Sequence, residues 1–250
     1  RHFENMRAWV DYIACVDGDD HGWRRVFHYG DWLALDSPYA GDDQVKGGTD
    51  EGFIADVYYR KSLSIVAQTA EILGKQEEKE RYVRKAEEVL DGLKKEYYSG
   101  TGRCCIFTQT AAILTLHEHL DDEKRALEQL LTLLRYRQGM LSTGFIGTPL
   151  LCETLSACGH EKKAYQLLLN EEYPGWLGEI RQGATTVWER WNSLDETGHI
   201  SSTGMNSLNH YAYGSVVAWL WNGCAGLSPL AQEPGFRKVR IEPKVNYKLQ

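Results

Sequence analysis

The sequence of 250 residues lacks the features that would tie it to a polyanion or to a lipid bilayer. Its 28 Lys and Arg residues stand against 35 Asp and Glu, so the net charge is −7 and no basic stretch can replace the counterions of a phosphate backbone. No run approaches the roughly 18 apolar residues that a membrane helix needs. We therefore expect neither a nucleic acid nor a membrane as a partner, and a neutral or weakly charged ligand fits better.

Metal and disulfide chemistry have little support either. The six cysteines show neither the close paired spacing of a zinc site nor the density of a disulfide scaffold, so we predict buried free thiols. They are Cys15, Cys104, Cys105, Cys152, Cys158 and Cys224. His117 and His119 lie two residues apart, which on a helix would point them to different faces. We predict no metal site and no cofactor.

The start of the chain carries no targeting signal. Its first residues do not begin with Met and do not form the charged and apolar regions of a signal peptide. The amphipathic pattern of residues 3–14 predicts a helix that is under way almost at once, which indicates neighbours earlier in a parent protein. We interpret the start as a fragment boundary and expect a cytoplasmic protein.

Hydrophobic periodicity predicts helices that alternate in character. Largely apolar helices, typical of buried positions, are each followed by a charged helix with one apolar stripe, typical of an outer position. The predicted pairs are residues 50–73 and 77–97, residues 106–120 and 122–137, and residues 148–158 and 161–170. A last helix is predicted at 208–226. The alternation indicates an array of helical hairpins.

The segments between the helices differ from one another. Residues 16–48 are irregular and rich in Gly and Asp, and long ordered loops of this kind usually belong to sites. The Gly/Thr-rich connections 141–149 and 201–206 precede apolar helices, so their side chains can converge at one end of the array. Residues 236–243 alternate as a strand does. Because a lone strand needs partners, we predict that a β-domain begins there and is cut off.

The segment Gly-Ala-Thr-Thr-Val-Trp-Glu-Arg-Trp, residues 183–191, places Glu189 between Trp188 and Trp191 and beside Arg190. Indole faces pack against the C–H face of a pyranose, while charged side chains bond to its hydroxyls. If the segment is helical, the two indoles share one face. The alternative is a half-buried amphipathic helix whose Glu189 pairs with Arg190 or another base. The segment alone does not decide between a sugar site and this alternative.

Six motifs follow one another along the chain. They are His-Tyr-Gly-Asp-Trp-Leu at 28–33, Gly-Gly-Thr-Asp at 47–50, Thr-Gln-Thr-Ala at 108–111, Thr-Gly-Phe-Ile-Gly-Thr-Pro at 143–149, the segment 183–191, and Gly-Met-Asn-Ser-Leu-Asn-His-Tyr-Ala-Tyr-Gly at 204–214. Together they resemble the bacterial α-L-rhamnosidases of glycoside hydrolase family 78, and the resemblance covers nearly the whole chain.

The resemblance implies a mainly α-helical fold, an (α/α)6 barrel of alternating inner and outer helices followed by a C-terminal β-sandwich. About eight helices can be found where twelve close such a barrel. We therefore assign residues 1–230 to a partial, incomplete barrel that forms the catalytic domain. Residues 231–250 are assigned to a linker and the first strand of a truncated β-sandwich.

The resemblance also implies inverting hydrolysis of terminal α-L-rhamnose from a rhamnose-containing glycoside or oligosaccharide. In that reaction Glu189 is the general base that acts on water. The predicted substrate-binding residues are Asp31, Trp32, Trp188, Trp191, Asn206 and His210, of which the first two and the last match the family's rhamnose subsite. By residue type alone, Asp31 would be a turn-capping carboxylate and His210 a hydrogen-bonded residue of a first helical turn.

One half of the catalytic pair has no match. The family's general acid is a Glu in an Asp-Glu-Arg motif followed by Gly-Trp, upstream of the matching region, and no such motif occurs here. Asp50, Asp56 and Glu179 could each be a site acid, and Glu179 is the best because it follows the aromatic loop 173–176. Two other functions stay open, which are a non-catalytic carbohydrate-binding helical array and another (α/α)6 glycosidase or epimerase.

Two tryptophans of the predicted last helix have a simpler interpretation. Trp219 and Trp221 lie deep in that helix, where aromatic residues usually belong to the core. We predict both as core residues.

The hairpins that are not found generate a prediction for residues 1–250 expressed alone. An incomplete ring leaves apolar helix flanks exposed, and apolar patches well above a few hundred Å² drive association. We expect no rhamnosidase activity, because no second carboxylic acid faces Glu189, and we expect poor solubility or self-association. Turnover of an aryl α-L-rhamnoside and sedimentation test both expectations. A compact monomer that hydrolyses the rhamnoside would place the acid within these residues.

Overall fold

The computed structural model describes residues 2–18, 22–38, 45–195, 197–201, 204–230 and 232–244. Its helices are α1 (Phe3–Asp17), α2 (Glu51–Ile72), α3 (Gln76–Tyr97), α4 (Gln109–His117), α5 (Glu123–Tyr136), α6 (Thr148–Ala157), α7 (Glu161–Leu168), α8 (Trp176–Arg181), α9 (Tyr211–Gly214) and α10 (Val217–Trp219). A π-helical turn, Leu220–Cys224, continues α10, and the strands are β1 (Leu227–Pro229) and β2 (Val239–Ile241).

Three helical hairpins form the body of the structure, with α2 against α3, α4 against α5 and α6 against α7. The inner helix α4 has buried side chains all round, from Gln109 to Leu116. Its partner α5 buries a single stripe that includes Ala126, Leu130 and Leu134. Helix α6 packs against both α4 and α9, so inner helices adjoin one another. The predicted alternation of inner and outer helices is confirmed.

Capping side chains explain where three of these helices begin. Asp50 accepts a hydrogen bond from the Phe53 N–H at the start of α2, at 2.8 Å. Asp122 does the same for the Arg125 N–H at the start of α5, at 3.1 Å. Thr108 caps α4 through its hydroxyl. Each cap satisfies an N–H that has no partner within its own helix, which fixes the first residue of the helix.

Two buried apolar clusters fill the structure. The first is formed by α1, α2, α3 and buried side chains between Tyr98 and Leu120. The second is formed by α4 to α7 and four aromatic residues from later in the chain, Trp176, Trp191, Tyr213 and Trp219. The second cluster therefore joins the inner helices to the segments that carry the sequence motifs.

The predicted last helix at 208–226 is wrong in extent, because the structure divides it into α9, α10 and the π-helical turn. Trp219 is 3% exposed and donates its indole N–H to the Ser156 hydroxyl at 2.9 Å, so its place in the core is confirmed. Trp221 is 52% exposed, and its prediction as a core residue is wrong. A π-helical turn holds more residues than an α-helical turn, which shifts the side chains after Trp219 away from the buried face.

The C-terminal strand is confirmed at Val239–Ile241, but the prediction that it lacks a partner is wrong. It pairs antiparallel with β1, with Leu227 opposite Ile241 and Pro229 opposite Val239. This small sheet crosses the predicted division between residues 1–230 and 231–250, and that division stays a prediction. Helix α8 was not predicted, because its six residues are too few to show a helical period.

All six cysteines are free thiols, but the prediction that they are buried is wrong for part of the set. Cys104 and Cys152 are buried, whereas Cys15 and Cys105 are exposed. Across the described residues, no group of three or more His, Cys, Asp or Glu side chains is arranged to hold a metal ion. In the same residues, no helix combines the length and the apolarity required to cross a bilayer.

Asp56 of α2 anchors the beginning of the long loop 22–38. Its buried carboxylate accepts hydrogen bonds from the Trp23 N–H and from Nε of Arg24, both at 2.6 Å. Asp17, at the end of α1, accepts from the Arg24 N–H at 2.7 Å. Burial raises the pKa of Asp56, and the hydrogen bonds from Trp23 and Arg24 act in the opposite direction. The loop is thus tied to two helices at its start.

We predict that Asp56→Leu lowers the free energy of unfolding by about 3 kcal/mol, because it leaves Nε of Arg24 and the Trp23 N–H without their acceptor. Urea unfolding measures the change. The matched control is Glu233→Gln, which removes an exposed ion pair with Lys238 at 3.1 Å and should cost less than about 1 kcal/mol. Equal losses in the two variants would contradict the anchoring role of Asp56.

Candidate active site

The loops that carry the sequence motifs meet where the inner helices begin. The hydroxyls of Thr49 and Thr108 bond at 2.7 Å, which joins the start of α2 to the start of α4. His210 caps α9 and stacks on Phe145, in the loop before α6, with ring centroids 5.0 Å apart. The helix starts of α2, α4, α6 and α9 therefore lie at one end of the array, as the positions of the loops predicted.

Asp31 is the centre of this convergence and is 0% exposed. Its Oδ2 accepts hydrogen bonds from the Thr110 hydroxyl and from the Gly144 N–H, the latter at 2.9 Å. Its Oδ1 accepts from the N–H groups of Ile146 and Gly147, at 2.8 and 3.3 Å. Burial raises the pKa of Asp31, and these four donors act in the opposite direction. The carboxylate thus holds the loop before α6 against α4.

The carboxylate oxygens of Asp31, for which a sugar contact is predicted, are already bonded to groups of the protein. A carboxylate has about four lone-pair positions, and here four donors from the protein occupy them. No surface is left for a sugar hydroxyl. In the structure Asp31 shapes the site, and its direct contact with a sugar stays a prediction.

Gly144 allows the loop before α6 to lie against the backbone of the Asp31 loop. The N–H of Phe145 donates to the Trp32 carbonyl at 2.9 Å. A Cβ at position 144 would lie 2.2 Å from the Trp32 carbonyl oxygen and 2.6 Å from the Ala34 nitrogen. Because both neighbours are backbone atoms, no side-chain rotation relieves such a contact, and glycine is required.

Tyr213 joins the Asp31 loop to later segments of the chain at the site. Its ring stacks on Trp191 with centroids 4.2 Å apart and an interplanar angle of 8°. Its hydroxyl donates to the Leu33 carbonyl at 3.2 Å, and its own carbonyl accepts the Trp176 indole N–H at 2.9 Å. Phe145 meets its ring edge-on at 5.5 Å. Parallel and edge-on aromatic contacts of this kind add to the energy of burial.

The segment 183–191 forms no helix at its Trp-Glu-Arg-Trp end and lies against residues 207–210. The Val187 carbonyl accepts from the His210 N–H at 2.8 Å, and the Glu189 N–H donates to the Ser207 carbonyl at 2.9 Å. The Ser207 N–H in turn donates to Oε2 of Glu189 at 2.9 Å. Both the backbone and the side chain of Glu189 are therefore held, while the residue stays half-buried.

The amphipathic-helix alternative for Glu189 is wrong. Arg190 directs its guanidinium to the Gly204 carbonyl at 3.3 Å, and within the described residues no ion pair joins it to Glu189. Asn206 donates to the carbonyls of Ser193 and Ser201, both at 3.1 Å. These bonds hold the loop that carries Ser207. The substrate contact of Asn206 stays a prediction.

His210 has the geometry of a hydrogen-bond donor to a ligand. Its Nδ1 accepts from the Ala212 N–H at 3.2 Å, so the proton of the neutral ring lies on Nε2. Stacking on Phe145 fixes the plane of the imidazole, which is half-buried. Nε2–H is the donor that remains for a ligand, and the sugar contact of His210 stays a prediction.

Trp32 offers an accessible indole at the same end. It is half-buried, and its ring meets Tyr29 edge-on with centroids 5.4 Å apart. Tyr29 contacts Phe27 in the same manner at 5.0 Å, and both of these rings are exposed. An indole in this position can pack against the apolar face of a pyranose. The sugar contact of Trp32 stays a prediction.

Trp188 and Trp191, unlike Trp32, have buried indoles. They are 3% and 2% exposed, and one face of Trp191 is covered by Tyr213. The open pair of indoles that the segment suggested on either side of Glu189 is not what the structure shows, because both rings pack into the interior. Neither offers an open face to a ligand here, and their sugar contacts stay predictions.

Glu179 of α8 lies directly behind this segment. It is 3% exposed, its Oε2 accepts from the Trp188 N–H at 3.3 Å, and its carbonyl accepts from the Ala184 N–H at 3.1 Å. Burial raises the pKa of Glu179 to about 8, and the hydrogen bond from Trp188 acts in the opposite direction. At neutral pH Glu179 is therefore a protonated acid, but it has no access to an open surface.

Some buried polar atoms without a hydrogen-bond partner belong to residues of the Glu189 segment or to residues that neighbour it. Eight such side-chain atoms occur among the described residues, and three of them are Oε1 of Glu179, Nε1 of Trp191 and Oδ1 of Asn206. Unpaired buried polar groups are rare in folded proteins and call for an explanation such as a functional site.

Three residues that organise the site were missed at the level of the sequence. Phe145 orients His210, Tyr213 joins Trp191 to the Asp31 loop, and Ser207 holds Glu189. All three lie inside the quoted motifs. The only signal that could have singled them out was an aromatic ring in a Gly/Thr-rich loop, or a Ser whose backbone N–H, rather than its side chain, makes the contact.

Comparisons with known proteins show the family to which this chain is similar. The family model of the bacterial alpha-L-rhamnosidase 6 hairpin glycosidase domain matches residues 1–224. An alpha-L-rhamnosidase of Formosa agariphila is 35% identical over 246 residues, which cover 97% of this chain and 26% of that protein. This chain thus spans about a quarter of the length of that relative.

Solved structures are similar as well. The crystal structure of Streptomyces avermitilis alpha-L-rhamnosidase complexed with L-rhamnose matches with a TM-score of 0.84 and 33% identity, over 97% of this chain and 22% of that one. The native alpha-L-rhamnosidase from Aspergillus terreus matches with a TM-score of 0.88 and 33% identity, over 97% of this chain and 28% of that one. The predicted six-hairpin (α/α)6 fold class is confirmed.

The close approach at Gly144 generates a prediction. Gly144→Ala should lower the free energy of unfolding by about 2 kcal/mol or more, because the new methyl group must displace backbone and pull the loop from Asp31. The matched control is Gly100→Ala, where a Cβ meets open space, with an expected change within about 0.5 kcal/mol. Urea unfolding compares the two. A Gly144→Ala variant as stable as the control would contradict the packing described here.

Proposed function

Because this chain belongs to the bacterial alpha-L-rhamnosidase six-hairpin glycosidase family, we propose that it forms the site of a glycoside hydrolase that releases terminal α-L-rhamnose. The substrate is a rhamnose-containing glycoside or oligosaccharide. The reaction proceeds with inversion, and Glu189 is the general base that removes a proton from the attacking water. The similar enzyme of Streptomyces avermitilis was solved with L-rhamnose, which supports the choice of sugar.

The observation that carries the proposal is the way in which Glu189 is held. Ser207 fixes one carboxylate oxygen through its N–H at 2.9 Å, and in the described part of the chain no group bonds to the other oxygen. A general base needs this combination, since one oxygen must be oriented while the other faces the water whose proton it takes. Glu189 is half-buried, and the proposal places the attacking water at that second oxygen.

The sugar lies beside this base in the proposal. Nε2–H of His210 donates to a hydroxyl of rhamnose, and the indole of Trp32 packs against an apolar face of the ring. His210 and Glu189 belong to segments joined by two backbone hydrogen bonds, His210 to Val187 and Glu189 to Ser207. A hydroxyl donor and a base on such paired segments can act on one sugar without either segment having to move.

Inversion also requires a general acid, with the two carboxyl groups about 6.5–9.5 Å apart. The candidates within the described residues have other partners or are inaccessible. Asp50 caps α2 and accepts from the Tyr97 hydroxyl, Asp56 pairs with Arg24, and Asp31 and Glu179 are buried. By its likeness to the family, the proposal assigns the acid to the Glu of the family's Asp-Glu-Arg motif, which does not occur in these 250 residues.

Glu189→Gln in the full-length protein tests the role of the base. Turnover of an aryl α-L-rhamnoside should fall about 10²–10⁴-fold, because Gln cannot take a proton from water. Binding of L-rhamnose should persist, since the amide keeps the shape and the acceptor for Ser207. Steady-state kinetics and calorimetry measure the two properties.

The control is Glu128→Gln on the outer helix α5, an exposed carboxylate that should leave both properties unchanged. Near wild-type turnover in Glu189→Gln would refute the assignment of the base. If the wild type binds L-rhamnose but hydrolyses no rhamnoside, the function is sugar binding. Hydrolysis of a different aryl glycoside in place of the rhamnoside would change the substrate class.

A further inference from the structure

We propose that Glu179 is a positioning residue for the base Glu189, which it orients through the backbone N–H of Trp188. This inference rests on the proposed function, since it assumes that Glu189 acts on water. Glu179 does not touch the substrate in this proposal. Its task is to hold the backbone from which the base projects.

The first support is where the Glu179 carboxyl lies. Its Oε2 is the hydrogen-bond acceptor for the Trp188 N–H, one residue before Glu189, and the Trp188 ring is itself buried. On the other side, Ser207 holds the backbone N–H and the carboxylate of Glu189. The base is therefore held from two directions, by α8 behind it and by the loop at 207–210 beside it.

The second support is that α8 contacts this segment at three points. Trp176 meets Trp191 edge-on with ring centroids 5.4 Å apart, the Glu179 carbonyl accepts from the Ala184 N–H, and the Glu179 side chain accepts from Trp188. The first and last contacts lie on either side of Glu189 in the sequence. A short helix that holds both flanks of one residue limits how far that residue can move.

The third support is the unpaired oxygen of Glu179. Among the described residues Oε1 has no hydrogen-bond partner, although it is buried. If the only task of this residue were to fill space, an apolar side chain would do so without the cost of burying a polar atom. A buried carboxyl with one engaged oxygen is consistent with selection for the bond to Trp188.

The electrostatic setting keeps this carboxyl neutral. Burial raises the pKa of Glu179 from 4.5 to about 8. The phenol of Tyr213 on α9 interacts electrostatically with Glu179 when that carboxyl is ionised, and likewise with Asp31, Tyr173 and Arg190. Burial also raises the pKa of Tyr213, so that the phenol stays neutral around pH 8. Glu179 is then the group whose ionisation would place a new charge behind the base.

The sign of the effect on stability follows from these values. Between pH 4.5 and about 8 the folded protein keeps a proton on Glu179 that the unfolded chain releases. The free energy of unfolding therefore falls as the pH rises through this range. Glu179→Gln removes this dependence, because an amide does not titrate there.

The test compares Glu179→Gln and Glu179→Met in the full-length protein, by pH-dependent kinetics on an aryl α-L-rhamnoside. Gln keeps an acceptor for the Trp188 N–H and should retain turnover within about threefold at pH 7. Met has a similar size without that acceptor and should lower kcat about tenfold, with KM within about twofold. The part of the alkaline fall in activity that occurs near pH 8 in the wild type should be absent in Glu179→Gln, while the fall caused by the general acid should remain.

A double-mutant cycle separates positioning from a general structural role. In a Glu189→Gln background the further change Glu179→Met should have little effect on the residual turnover, because no base remains to be oriented. Thermal unfolding at pH 7 shows whether each variant is folded. The control is Glu171→Met, which removes an exposed ion pair with Arg181. Arg181 lies on α8, as Glu179 does, and the variant should leave kcat unchanged.

Three outcomes would overturn the inference. They are an unchanged kcat in a folded Glu179→Met variant, an equal loss in the Gln and Met variants, or an equal effect of Glu179→Met in both backgrounds. Failure of the proposed function gives a different result, because Glu189→Gln would then keep wild-type turnover. The two proposals can thus fail separately.

Discussion

The structure of the site depends on one buried carboxylate that is bonded on all sides. Asp31 accepts four hydrogen bonds, from a hydroxyl on α4 and from three backbone N–H groups in the loop before α6. An isolated charge in this position would be costly, so the carboxyl stays buried only while all four donors remain in place. The loop is thereby fixed where its backbone lies against the Asp31 loop.

Aromatic contacts connect the loops that Asp31 fixes to the segment that carries the base. The loop before α6 carries Phe145, which stacks on His210, and the Asp31 loop accepts a hydrogen bond from Tyr213. Tyr213 stacks on Trp191, two residues after Glu189. Rings of this size in face and edge contact have few alternative arrangements. They therefore restrict the movement of the segments that they connect. The polar side chains of the site therefore keep their positions although they lie on non-helical segments.

Within the proposed function, some residues of the site hold the protein structure and others are available to a ligand, and the sequence motifs contain both kinds. Asp31, Trp191 and Glu179 are interior residues whose contacts are with the protein. Glu189 and His210 keep atoms that no described residue engages. Residues of both kinds stand side by side in the same motifs, so membership of a motif does not by itself assign contact with a ligand.

The sequence by itself determined the hairpin array, the order of inner and outer helices and the positions of the motifs. These follow from the helical period and from capping residues such as Asp50 and Asp122, which act over three or four neighbouring residues. The sequence did not predict helix α8 or the division of the last helix, because elements of three to six residues show too little periodicity.

Only the tertiary structure decided which motif residues face inward and which carboxyls stay neutral. The indole of Trp191 is covered by Tyr213, and Tyr213 bonds to Leu33 across 180 positions of sequence. The raised pKa of Glu179 likewise comes from burial beneath Trp188 and its surroundings. Desolvation depends on every element packed around a group, and no local pattern of residues encodes it.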